Sequence, residues 1–214
     1  MSTSRSRTPL VLGIVLAVVA VVAIAAVALT SGSDDDGDAA GDAPVFGVVT
    51  VEGDPLPEGG YPDDPAVGSP VPVVRGTDYE GVATAIEPGT DGPMMIVVMA
   101  HWCPHCNDEV PKLVEWGASG DVPDGLQVVG ISTAAREGTP NFPPASWVAD
   151  DMGWEWPVIA DDEEQTAARA VGTTGYPFIM FVDADGNLLF RVSAELPIED
   201  VQALADQAAA TATT

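Results

Sequence analysis

Seven consecutive apolar residues, Met94–Ala100, run without a polar interruption into His101-Trp102-Cys103-Pro104-His105-Cys106. A strand that is apolar at every position must be buried on both faces, so this chain needs a sheet with a layer on each side. Phe178–Val182 is a further run of the same kind, Gly125–Ile131 reads as another buried strand broken only by Gln127, and Trp156–Ile159 is a shorter one. Helical patterns separate them. Cys106 to about Trp116 carries Val110, Leu113 and Val114 on one side, with Asp108, Glu109, Lys112 and Glu115 interspersed. Pro111 inside it removes a backbone bond and is expected to kink the helix. Ser146 to about Met152 predicts a short helix behind Pro143-Pro144, and Glu163–Val171 a helix ended by Gly172. Asp185-Gly186-Asn187 between Phe178–Val182 and Leu188–Val192 is a hairpin signal, and Pro197 opens a last helix running to Ala208. The order β-α-β-α-β-α-β-β-α predicts an α/β domain: a mixed central sheet with helices on both faces.

The N-terminal fifth of the chain is built differently. Leu10–Leu29 holds no charge, amide or aromatic residue, and its 20 residues match the thickness of a hydrocarbon core. Arg5 and Arg7 precede it and Asp34, Asp35, Asp36 and Asp38 follow, a bias that places residues 1–9 in the cytoplasm and the remainder outside. Ala26-Val27-Ala28 also fits signal cleavage, but signal cores are usually shorter, so an uncleaved single-pass anchor over 10–29 is preferred to a secreted product. No cysteine follows the run to take a lipid. Residues 30–65 read as a flexible acidic linker with one short strand at Val45–Val51. Residues 66–208 form the folded domain, and 209–214 a tail.

A net charge of −26 argues against partners bound through phosphate or anionic lipid heads, so no nucleic acid is expected and the membrane is met only through the N-terminal helix. The chain is not a disordered acidic one, because 46% of its residues are apolar.

Only two cysteines exist, Cys103 and Cys106, in C-x-x-C spacing where the first buried strand meets its helix. Partial positive charge and unpaired N–H groups at a helix N-terminus stabilise a thiolate at Cys103, with Cys106 one turn further in and shielded. A purely structural disulfide would close too short a loop to stabilise much. A zinc site would have to draw four ligands from His101, Cys103, His105 and Cys106, which cannot converge tetrahedrally without wrecking the turn, and the chain has no other His or Cys. A redox role is therefore favoured, with no metal and no cofactor.

Ala100-His101-Trp102-Cys103-Pro104-His105-Cys106 resembles the active site of the thioredoxin superfamily. Gly68-Ser69-Pro70-Val71-Pro72, Glu109-Val110-Pro111 and Tyr176-Pro177-Phe178 are similar to its membrane-anchored TlpA/ResA-like branch. That resemblance spans about Ala66–Ala208 and implies a thioredoxin-like fold behind one transmembrane helix. It implies a cis peptide before Pro177, where the backbone at Tyr176 would pair with a docked chain. Glu109 would match an acid exchanging protons with the cysteines. Trp102 would cover the site, and Pro104 would stiffen its turn. His105, when protonated, would stabilise the Cys103 thiolate and make the couple more oxidising. The Pro-His dipeptide resembles that of DsbA-like oxidants and argues for the upper half of a range from about −270 to about −120 mV, whereas Glu109 and the acidic surface push the other way. His101 is given no role.

The reading is an extracytoplasmic thiol–disulfide oxidoreductase that exchanges a Cys103–Cys106 disulfide with protein thiols or disulfides, with a membrane thiol donor or acceptor as a further partner. Sco-type copper delivery would need C-x-x-x-C and a distant His, and no His follows His105. A peroxiredoxin would place Thr at position 100, which is Ala. A non-catalytic binding domain would leave the cysteine pair unexplained.

Overall fold

The computed structural model describes residues 44–60 and 63–213. The expected anchor at 10–29 and the first part of the linker lie outside the described residues. Among the described residues no helix is long and apolar enough to cross a membrane.

The elements in order are β1 (Val49–Glu52), β2 (Val73–Thr77), β3 (Ala83–Ile86), β4 (Met94–Met99), α1 (Pro104–Ser119), β5 (Gln127–Ser132), α2 (Pro144–Ser146) running into a π-helical turn (Trp147–Asp151), β6 (Val158–Ala160), α3 (Thr166–Ala170), β7 (Phe178–Val182), β8 (Leu188–Val192) and α4 (Ile198–Ala210). A five-stranded sheet has the order β6-β5-β4-β7-β8. Strands β4, β5 and β6 are parallel, whereas β7 is antiparallel to β4 and β8 to β7. This is the mixed sheet that the alternating sequence pattern predicts.

Strand β4 is buried at every position because both of its faces are used. Met95, Val97 and Met99 pack with Cys106, Val110 and Leu113 of α1 and Val201, Ala205 and Ala208 of α4. Met94, Ile96 and Val98 point the other way, toward Ala167, Ala168 and Ala170 of α3 and toward Val74 and Ile86. Each such side chain contributes about 1.5–3 kcal/mol of burial, so the central strand alone anchors both layers.

Val74 and Ile86 belong to a second, three-stranded antiparallel sheet, β1-β2-β3. One layer is thus partly sheet where the sequence pattern predicts helices alone. The short strand expected at Val45–Val51 is observed as β1 and pairs with β2, so ordered structure precedes residue 66. The helix expected over Glu163–Val171 is trimmed to α3, and the one expected over Ser146–Met152 is mostly the π-helical turn.

The segment before β2 is fastened to the end of α3 and to the edge strand β8. Leu56 and Gly59 donate backbone bonds to Ala170 (2.9 Å) and Gly172 (3.1 Å). Asp64 then meets the buried guanidinium of Arg191 on β8 in a forked pair, Nε–Oδ2 at 2.7 Å and Nη2–Oδ1 at 3.1 Å, while Nη1 donates to the Val171 carbonyl at 3.0 Å. Gly172 has φ 73°, and a Cβ there would strike the Pro57 carbonyl and the Arg191 guanidinium.

Register places the cysteines. Val98 of β4 lies opposite Phe178 of β7, so the antiparallel β7 is entered from Tyr176-Pro177 beside the end of β4 that leads to the cysteine turn.

Candidate active site

Beyond Met99 the chain makes one tight turn, with the Cys103 amide donating to the Ala100 carbonyl at 3.0 Å, and enters α1. The helix begins two residues earlier than the sequence pattern predicts. Cys103 is its N-cap with extended backbone (φ −77°, ψ 120°), Pro104 occupies the first turn, and Gly120 closes the other end in the left-handed region. Neither an acidic side chain in the first turn nor a side chain bonding as a cap neutralises this helix N-terminus. The positive end of the α1 dipole is thus left to the cysteines.

The two thiols are both free and in different surroundings. Cys106 is fully buried, and its sulfur accepts from the Ala100 amide at 3.5 Å. Burial first, then the proximity of Cys103 and Glu109, pushes the Cys106 thiol far above the ordinary thiol range. Cys103 is more enclosed than the sequence suggests, at 5% exposure, because its Sγ points at the Tyr176 carbonyl and donates to it at 3.3 Å. The Tyr176-Pro177 peptide is cis, as the resemblance implies.

Trp102 stands edge-on to Tyr176, with ring centroids 6.0 Å apart. Its indole N–H donates to the Ala134 carbonyl at 2.8 Å, and the Arg136 guanidinium lies 4.7 Å over its ring. The Tyr176 hydroxyl donates to Gln165 at 3.1 Å, and burial pushes that phenol upward. Trp102, Cys103, Tyr176 and Pro177 are therefore brought to one place.

Glu109 is fully buried on α1, one turn after Cys106. One oxygen accepts from the Leu196 amide at 3.0 Å and the other from Lys112 at 3.4 Å. His105 is mostly exposed, and its Nδ1 meets Glu195 at 2.8 Å. Its ionic partner is thus a carboxylate from the segment after β8, which no local sequence motif marks.

His101 proves to be a framework residue. It is fully buried, its Nδ1 donates to the Pro140 carbonyl (2.8 Å) and its Nε2 accepts from the Arg136 amide (3.1 Å), a pattern only the neutral ring can satisfy. Burial holds its pKa below the ordinary imidazole value. Asn107 and Asn141 add to this clamp. Asn107 donates to the His101 and Cys103 carbonyls at 3.3 and 2.8 Å and accepts from Trp147 at 2.9 Å and from Asn141 at 3.0 Å, while Asn141 also donates to the His101 carbonyl at 2.8 Å. An amide side chain directly after a C-x-x-C pair was the available signal for Asn107. Arg136 and Asn141 lie in a loop with no periodicity to mark them. No group of metal-ligating side chains is found among the described residues.

Comparison with known proteins agrees with this layout. Residues 67–191, more than half of the chain, match the AhpC/TSA family. No curated protein sequence matches. Among solved structures, a thiol:disulfide interchange protein of the thioredoxin family from Chlorobium tepidum superposes with a TM-score of 0.55 at 22% identity, covering 66% of this chain and 96% of that one. The thioredoxin domain of a Bacteroides vulgatus thiol-disulfide oxidoreductase gives 0.52 at 22% identity, covering 67% and 98%. A secreted Mycobacterium tuberculosis disulfide oxidoreductase gives 0.51 at 20% identity, covering 62% and 94%. At these identities the likeness is one of fold, a thioredoxin-like one. The family match spans β2 through most of β8 and takes in both cysteines and the Tyr176-Pro177 turn, so the chain belongs to the AhpC/TSA family.

Proposed function

We propose that the protein is an extracytoplasmic thiol–disulfide oxidoreductase of the TlpA/ResA-like kind, held to the membrane by residues 10–29. The observation that carries this reading is the asymmetric dithiol: Cys103 caps an otherwise unneutralised helix N-terminus, and Cys106 lies fully buried one turn behind it. Acting as a reductant, the Cys103 thiolate attacks one sulfur of a partner disulfide, and the other sulfur leaves as a thiolate that takes up a proton. Cys106 then gives up its proton, attacks the Cys103 sulfur and releases the second partner thiol. Two electrons pass to the partner and the Cys103–Cys106 disulfide remains. The oxidising direction is the same sequence reversed, and the Cys103 sulfur is the atom that bonds to the partner in both. On this reading the buried carboxylate of Glu109 would exchange protons with the cysteines, and the Tyr176-Pro177 backbone is where an extended partner chain would lie.

Partners on this reading are protein thiols or disulfides outside the cytoplasm, together with a membrane thiol donor or acceptor. Insulin reduction in the presence of dithiothreitol tests the activity: turnover lost in Cys103→Ser is expected, and no turnover by the wild type refutes it. Cys106→Ser should trap partners as mixed disulfides on Cys103. Peroxide consumption without disulfide exchange would point instead to a peroxiredoxin-type reaction, for which Ala100 is the wrong residue.

A further inference from the structure

His105, Glu109 and Lys112 occupy positions i, i+4 and i+7 of α1 and so share one helix face. The segment after β8 lies along it. Glu195 meets His105 at 2.8 Å through one oxygen and Lys112 at 3.0 Å through the other, while the next residue, Leu196, donates its amide to Glu109 at 3.0 Å. Lys112 completes the row by reaching Glu109 at 3.4 Å. A continuous chain, His105–Glu195–Lys112–Glu109, therefore joins the exposed imidazole between the two cysteines to the buried carboxylate behind them.

We infer that Glu195 is a positioning residue that holds the positive charge of His105 away from the Cys103 thiolate, and thereby keeps the dithiol more reducing than its Pro-His dipeptide alone would make it. This rests on the redox reading above. An imidazolium stabilises a neighbouring thiolate only as far as its charge is not already matched by a closer anion. At 2.8 Å Glu195 is such an anion, and its second oxygen is tethered by Lys112, so the carboxylate is fixed in the position that intercepts His105. Both partners hold the Glu195 carboxyl below the ordinary carboxylate range, with His105 the larger influence. Glu195 arrives from outside α1, so no feature of the C-x-x-C motif would report it.

The experiment is glutathione equilibration of the full chain at about pH 6. It compares wild type, Glu195→Gln, His105→Asn and the double variant. In each, dithiol plus oxidised glutathione gives the Cys103–Cys106 disulfide plus two reduced glutathiones, so the equilibrium constant reads the couple directly. Glu195→Gln should shift it about fivefold toward the reduced protein, the size of one partly exposed charge pair, or about 20 mV at about 30 mV per tenfold. The Cys103 thiolate, followed by its ultraviolet absorbance, should form at lower pH in the same variant. Neither shift should survive in the His105→Asn background. A shift of equal size in both backgrounds, a shift toward the oxidised protein, or no shift at all overturns the inference. Failure of the redox reading itself is separately visible, since a wild type that forms no reversible disulfide with glutathione fails before any variant is made.

Discussion

Replacing Asp64 by Asn should be among the most destabilising single changes available in this protein. The carboxylate is 5% exposed and faces the fully buried Arg191 side chain in a forked pair at 2.7 and 3.1 Å. That guanidinium cannot shed its charge, and its remaining hydrogen bond among the described residues is to the Val171 carbonyl at 3.0 Å. Asn removes the charge and leaves the guanidinium buried without a counterion, which costs about 3–5 kcal/mol. For a domain of this size each kcal/mol moves Tm by roughly 2–4 °C, so a fall of about 6–20 °C in a thermal melt is expected. Replacing both residues by Leu should recover much of the loss, because an apolar pair owes no desolvation penalty. Arg191 holds the Asp64 carboxyl well below the usual range, so its contribution is present above the ordinary carboxylate pKa and is lost as pH falls below it. The gap between wild type and Asp64→Asn should therefore close on acidification below about pH 4. Glu52, which meets the exposed Arg75 at 2.8 Å, is the control, and its loss should cost under about 1 kcal/mol. A melt for Asp64→Asn within 2 °C of wild type, or a double-Leu variant no better than either single one, would refute the reasoning.

Two further outcomes follow from the site. At neutral pH, Cys106 in the Cys103→Ser variant should alkylate at least about 100-fold more slowly than Cys103 in Cys106→Ser, because burial keeps the Cys106 proton in place; comparable rates by mass spectrometry would contradict this asymmetry. His101 is buried neutral, so its contribution to stability is complete above about pH 6.5 and is lost as pH falls through its lowered folded value. Wild-type denaturation midpoints should therefore drop on going from about pH 7 to pH 5, and His101→Phe should flatten that drop.

What the sequence made legible was whatever has a period or a spacing. The double-faced strands declared themselves through apolar runs that are unbroken or nearly so, and the hairpin through Asp185-Gly186-Asn187. The cysteine pair was located by its place between strand and helix. Strands β2 and β3 carried no such mark, because Arg75, Gly76 and Thr77 interrupt one and alternating Ala and Thr weaken the other, and both settle on the main sheet through little more than Val74 and Ile86. Within the site, the residues on α1 and at the entry to β7 were readable from local motif. Glu195 was not, being 90 positions from the His105 it pairs with. His101 looked incidental because its function is to hold Pro140 and Arg136, a loop about 35–39 positions away.

The Cys103 thiol has one proton and has already committed it to the Tyr176 carbonyl. Making the nucleophile removes that proton and leaves two electron-rich atoms confronting each other at close range, an arrangement that a new hydrogen-bond donor relieves. On the function proposed above, an extended polypeptide laid along the entry to β7 would bring backbone amides to that spot. Ionisation and docking are then two halves of one linkage. Whatever a bound chain does to ease loss of the proton, loss of the proton does in equal measure to tighten the chain. On the function proposed above, the reduced site would work as a latch, shut at rest by the Tyr176 carbonyl and opened by its own partner.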